Sequence, residues 1–211
     1  MSDGKTVILS TAYLAPVEYY MQMYNSERVI IEKQCNYTKQ TYRNRCVIAS
    51  ANGSQTLSIP IVKPGLSGCC TKDIRIAEHG NWQHLHWNAI VSAYNSTPFF
   101  EYYEDDFRPF YEKKPEFLFD FNQGLMELVC SLLDISPNIS YTSQFITNVK
   151  PNEIDLREVI HPKKEPFTKE FKPYYQVFES KFGFQPNLSI VDLLFNMGPE
   201  APLLLSITAV V

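Results

Sequence analysis

The chain has 211 residues, 45% of them hydrophobic and 14% aromatic, with a formal net charge of −4. A domain of that length buries a core without metals or disulfides, and the acidic balance excludes a general electrostatic grip on nucleic acid, which needs a basic face. There is no run of 18 apolar residues and no basic start followed by an apolar stretch, so a membrane span and a signal peptide are not expected, and the chain reads as cytoplasmic. Cys35, Cys46, Cys69, Cys70 and Cys130 show no CxxC spacing, which argues against a zinc knuckle or a disulfide framework and fits a reducing compartment. His79 beside Cys69 and Cys70 is one metal option, though buried thiols explain those cysteines better, and the carboxylates Glu101, Glu104, Asp105 and Asp106 are another, better read as a solvated helix face. No metal site is expected, and the sequence names no cofactor.

Thr6–Ser10 is a β-branched run that reads as a buried strand. Pro16 suits the first turn of a helix over Val17–Tyr24, and Val29–Glu32 is a second apolar strand. Strand, helix and strand at this spacing predict a parallel βαβ unit, with the loop at 11–16 at the ligand-binding carboxyl end of its first strand. Arg45–Ala49 and Gln55–Ile61 flank Asn52-Gly53, a hairpin signal. Pro64, Gly65 and Gly68 mark a loop, and Asp73–Ile76 reads as a strand. A helix is expected over Asn81–Ser96, with Trp82, Leu85, Ala89, Ile90 and Ala93 as its apolar stripe. One or two short helices follow in Pro98–Lys114, and a clear helix spans Leu118–Leu133. Ile139–Ser143 is a candidate strand, and 146–173 reads as an irregular excursion. Tyr174–Phe182 and Leu188–Asn196 are expected helices, the latter with Ser189 as cap and Asp192 at its third position. The apolar tail at 203–211 reads as a strand. The expected fold is α/β in one domain over 1–211: a mixed sheet with an N-terminal βαβ unit, a β-hairpin and a helical C-terminal half.

Four segments resemble the WbqC-like family: ILSTAYLAPVEYY at 8–20, NYTKQTYRNRCVIASANGSQTLSIPIV at 36–62, KDIRIAEHGNWQHLHWNAIVSAYNSTPFF at 72–100 and PNLSIVDLLFN at 186–196. The Bacteroidetes branch looks closest. Many members carry Gln-Pro after the first strand; here Thr11-Ala12-Tyr13-Leu14-Ala15-Pro16 stands instead, keeping Tyr13, a shifted Pro and Tyr19. The resemblance implies a transferase in bacterial surface polysaccharide (O-antigen-type) biosynthesis, with glycyl or amino-acyl transfer to an amino sugar as one proposed reaction.

Within those segments, Tyr42-Arg43-Asn44-Arg45 carries two guanidinium groups, which grip phosphate or carboxylate bidentately. In an extended segment 43 and 45 point to one side, and Lys39 is placed to join them. The alternative is a pair of surface salt bridges. His84 and His86 are candidate general bases, set about 200° apart on a helix, so they cannot share one site. His84 and Asn88 have i, i+4 spacing. Glu32, at the end of the second strand, is the candidate catalytic carboxylate. The candidate catalytic set is thus His84, His86 and Glu32; the substrate-binding set is Tyr13, Lys39, Tyr42, Arg43, Asn44, Arg45 and Trp87. The expected partner is a small molecule, a nucleotide sugar or amino acid, with a homodimer as one option for assembly. Two other readings stay open: a nucleotidyl-transferase-like enzyme, and a non-catalytic carbohydrate or nucleotide-sugar binding protein. GxGxxG, GxxxxGK[ST], GxSxG and HExxH are all absent, which disfavours dinucleotide oxidoreductases, P-loop kinases, α/β hydrolases and zincins.

Overall fold

The computed structural model describes residues 4–63 and 69–206. The βαβ unit forms as the sequence predicts. Strand β1 (Thr6–Ser10) leads through helix α1 (Val17–Tyr24) to strand β2 (Arg28–Glu32), and the two strands pair in parallel with Ser10 opposite Glu32. Val7, Ile8 and Leu9 have no exposed surface, as expected of a central parallel strand covered on both faces. Strands β3 (Arg45–Ser50) and β4 (Gly53–Ser58) form the antiparallel hairpin as a separate two-stranded sheet. Its turn needs Gly53, whose φ of 107° a residue with a Cβ rarely adopts.

The helical half follows: α2 (Trp82–Tyr94), α3 (Phe100–Glu112) and α4 (Leu118–Leu132). Strand β5 (Ile139–Tyr141) pairs in parallel with β2 on its outer side. Strand β6 (Glu153–Asp155) then returns to the free side of β1, also in parallel. The main sheet therefore has the order β5-β2-β1-β6. Short helices α5 (Glu179–Phe182), α6 (Ile190–Met197) and α7 (Ala201–Leu205) close the fold, α6 and α7 packing on α1. Among the described residues, no helix is long and apolar enough to cross a membrane.

Several expectations change. The stretch 146–173, read as irregular, contributes β6. Asp73–Ile76 is not a strand: Ile74 and Ile76 are buried as the alternation requires, but Thr71–Asp73 forms a 3-10 turn and the backbone makes only isolated bridges, Ile61 to Ile76 and Arg75 to Phe117. Pro98–Lys114 yields one helix with Pro109 inside it. Of Tyr174–Phe182, only Glu179–Phe182 is helical. Ser189 does not cap α6 with its side chain; its hydroxyl donates to the Leu14 carbonyl (2.7 Å), tying α6 to the loop after β1. Asp192 accepts from Tyr174 Oη and Gln176 Nε2 (both 2.7 Å), joining α6 to the chain before α5. In the tail, Leu203–Leu205 belong to α7, and residues 207–211 lie outside the described residues, as does the loop at 64–68.

The buried stripe of α2 is also rotated from the expected one. Trp82, His86, Ile90, Ala93 and Tyr94 face inward, and Leu85 is 60% exposed. The stripe turns because His86, not Leu85, meets a buried partner. Tyr13 Oη lies 2.9 Å from His86 Nδ1 and 2.9 Å from Tyr111 Oη, so burying this imidazole satisfies it.

Candidate functional site

Strand order dictates where to look. The chain leaves β1 toward β2 and β5, then comes back to β6 on the opposite side. Between the carboxyl ends of β1 and β6 the connections diverge, and open parallel sheets place their ligand crevice at such a switch point. A crevice lies there. Ser10, Thr11 and Ala12 form its β1 side, Leu156, Arg157 and Ile160 its β6 side, and Tyr42 and Arg43 its roof. Its free volume for a water-sized sphere is about 10 Å³, room for about one water.

Arg43 is the central residue of this crevice and is only 2% exposed. The Thr41 hydroxyl donates to the Thr38 carbonyl (3.0 Å) and accepts the Arg43 N–H (3.4 Å), which turns the chain inward just before β3. Asn122 of α4 donates to the Arg43 carbonyl (2.8 Å) and to Thr11 Oγ1 (3.3 Å), holding the turn against the loop after β1. The guanidinium Nη2 donates to Ser10 Oγ (2.9 Å) and pairs with Glu158 Oε1 (2.7 Å). Its Nε is buried without a hydrogen-bond partner. A buried, partly unpaired guanidinium on a crevice has the chemistry to hold an anion.

Behind Arg43 lies a second, closed ion network. Glu32 has no exposed surface. Its Oε1 accepts from the Gln34 N–H and Thr142 Oγ1 (both 2.7 Å), and its Oε2 from the Ile146 N–H (2.9 Å) and Arg157 Nη1 (3.3 Å). Arg157 also grips Asp155 through Nε and Nη2 (2.9 and 2.6 Å) and lies over the Phe145 ring at 4.9 Å. That hydrogen bonding holds the Asp155 carboxyl below its ordinary range. The network fastens the carboxyl ends of β2, β5 and β6 together.

The candidate residues divide among three places. Tyr42 and Arg43 line the crevice, and burial raises the Tyr42 phenol to about 12. Arg45 opens β3, half-buried with its Nε unpaired; Arg43 and Arg45 both lie close enough to Tyr37 to oppose the burial that raises its phenol. Asn44 is buried and donates to the Ile59 carbonyl (2.8 Å); Lys39 is exposed. Glu32 sits one residue behind the crevice through Arg157. Tyr13, His86 and Trp87 belong to an aromatic cluster joined by Tyr111, on which Trp87 stacks at 5.5 Å. Burial lowers the His86 imidazole to about 4, with hydrogen bonding to the Ser58 backbone opposing it. His84 points outward, bonded to Asn88 Nδ2 through Nε2 (2.9 Å). Neither His84 nor His86 lines the crevice.

Thr11 and Ala12 belong to the loop at 11–16 expected at this edge, whereas sequence reasoning missed Ser10, Asn122, Arg157 and Glu158. Ser10 could have been found from its place at the end of the first strand. Asn122 stood inside an apolar helix stripe, where a buried polar residue is itself a signal. Arg157 and Glu158 sat in the stretch without periodicity.

The comparisons with known proteins cover this same region. Uncharacterized protein Rv1507c of Mycobacterium tuberculosis (strain ATCC 25618 / H37Rv) is 25% identical over 225 residues, spanning 94% of this chain and 96% of that protein. No solved structure matches the chain. The profile of the WbqC-like protein family matches residues 11–164. That span opens at Thr11 on the crevice and closes at Lys164, whose Nζ donates to the Glu158 carbonyl (2.7 Å) beside it. Thr11 and Ala12, the β6 side of the crevice and the arginine between them thus fall within the match, and the chain belongs to the WbqC-like protein family.

Proposed function

We propose that the protein recognises the anionic part of a small-molecule substrate at Arg43, as the binding step of a transferase in bacterial surface-polysaccharide biosynthesis. The observation that carries this reading is the buried guanidinium of Arg43 at the switch point, with Nε unpaired and Nη2 directed at Ser10 and Glu158. An amino-acid carboxylate or the phosphate of a nucleotide sugar offers the oxygens such a group binds. In this reading Arg45 and Lys39 add positive charge at the approach, and Tyr42 closes one wall. Glu32 is a positioning residue: its four hydrogen bonds leave it set to hold Arg157 rather than to move a proton. His86, neutral and enclosed by Tyr13 and Trp82, likewise orders the core beneath the loop at 11–16. Amino-acyl transfer to an amino sugar is the reaction we favour.

One observation favours a non-catalytic binding role instead: no histidine side chain lines the crevice. A thermal-shift panel of amino acids and nucleotide sugars separates the possibilities, followed by mass spectrometry for transfer of the amino-acyl group. The expected result is stabilisation by at least one class, lost in the Arg43→Lys variant and in an Arg43→Ala, Arg45→Ala double variant that keeps its native circular dichroism. Ligand stabilisation that survives both variants sinks the anion reading. Binding without any product points to the non-catalytic role.

A further inference from the structure

We propose that Glu158 occupies the anion seat on Arg43 as an internal competitor, and that the seat is fitted to a small carboxylate which displaces it. This rests on the reading of Arg43 as an anion-binding group. Glu158 Oε1 stands 2.7 Å from Arg43 Nη2, the distance of a charge-assisted hydrogen bond. The partners differ sharply in burial: the Arg43 side chain is 2% exposed and that of Glu158 57%. A pair made only for stability would leave the arginine committed. Here its carboxylate partner is mostly in water and can leave at small cost.

The turn that carries Glu158 does not have to move. Leu156 and Ile160 on either side are buried, and the Leu156 carbonyl accepts the N–H groups of Val159 and Ile160 (both 3.2 Å). The Leu156 N–H bonds to the Ile8 carbonyl (2.9 Å), pinning the turn to β1. Lys164 Nζ holds the Glu158 carbonyl from outside. Only the Glu158 side chain is loose, so exchange is a rotamer change and not the opening of a lid.

The carboxylate already seated gives the ligand class. The crevice has room for about one water beyond the atoms already there. Its apolar walls, Leu9, Leu156 and Ile160, are packed core residues. When Glu158 swings out, the position it leaves at Arg43 Nη2 is one that already accepts a carboxylate oxygen at 2.7 Å. A ligand carboxylate reproduces the displaced contact to Arg43 Nη2 with the same planar pair of oxygens. The remainder of the ligand would extend along the path of the Glu158 side chain toward solvent.

An NMR chemical-shift titration with sodium acetate and with inorganic phosphate tests this on wild type, Glu158→Ala, Glu158→Gln and Arg43→Gln. Removing the competitor should tighten acetate binding about two- to fivefold in Glu158→Ala, the range for an ion pair with one exposed partner. Glu158→Gln, equal in size and uncharged, should rank between that variant and wild type. Arg43→Gln should bind neither anion. Equal acetate affinity in wild type and both Glu158 variants, with binding still dependent on Arg43, overturns the competitor and leaves the anion reading standing. Acetate binding that ignores Arg43 overturns both. Tighter binding of phosphate than of acetate in Glu158→Ala overturns the carboxylate assignment alone.

Discussion

Acidification should destabilise the fold through His86, by an amount the structure allows us to estimate. The imidazole is 5% exposed, shares a hydrogen bond with Tyr13, stacks on the Tyr13 ring at 5.6 Å and meets the Trp82 ring edge-on at 5.2 Å. Desolvation lowers it to about 4 in the folded chain, against about 6.5 in the unfolded one. The unfolded state therefore takes up a proton that the folded state refuses across this window, so stability rises with pH there. His86's contribution is fully present above about pH 6.5, falls as the pH drops toward 4, and is gone below that, a loss of about 3 kcal/mol. Urea denaturation at pH 7, 5.5 and 4.5 of wild type and His86→Phe isolates this residue, since every other titrating group is common to both. At pH 7 the variant should be less stable by about 1–3 kcal/mol, because the hydrogen-bonding partners of the ring lose it. The gap should shrink or reverse toward pH 4.5. Two curves that stay parallel from pH 7 to 4.5 would refute the neutral, buried imidazole.

Two further outcomes are expected. Gly198→Ala should lower stability by about 1–3 kcal/mol: its φ is 50°, and an added Cβ would stand 2.5 Å from the Phe99 ring, so a melting temperature equal to wild type counts against this packing. Glu32→Ala should cost about 3–5 kcal/mol by leaving Arg157 facing a buried gap; a loss under about 1 kcal/mol in denaturant titration would mean that the network does not bind the strand ends together.

What the sequence made legible follows from how local each signal was. The two β-branched runs, the helix between them and Asn52-Gly53 each carry their structure within a few residues, and all formed. The family segments likewise led to the turn holding Arg43. β6 was not legible, because three residues, Glu153 to Asp155, have no pattern of their own; pairing with β1 defines them. The partner of Arg43 was hidden for the same reason, lying 115 residues away in the chain. On α2, periodicity gave the helix, but Leu85 competed with His86 for the inward face. Only Tyr13, 73 residues away, decides that contest.

The closed network behind the crevice has a consequence for how the molecule is assembled. Glu32 and Arg157 are separated by 125 residues. During synthesis the glutamate emerges long before the arginine, so the βαβ unit must tolerate that carboxylate in water, and its edge stays wet until the last strand docks. Contacts of this sequence separation are slow to form. The same edge is then the place where amide hydrogens should exchange by local opening rather than by global unfolding. The part of the sheet that lines the crevice is thus the part that the chain completes last.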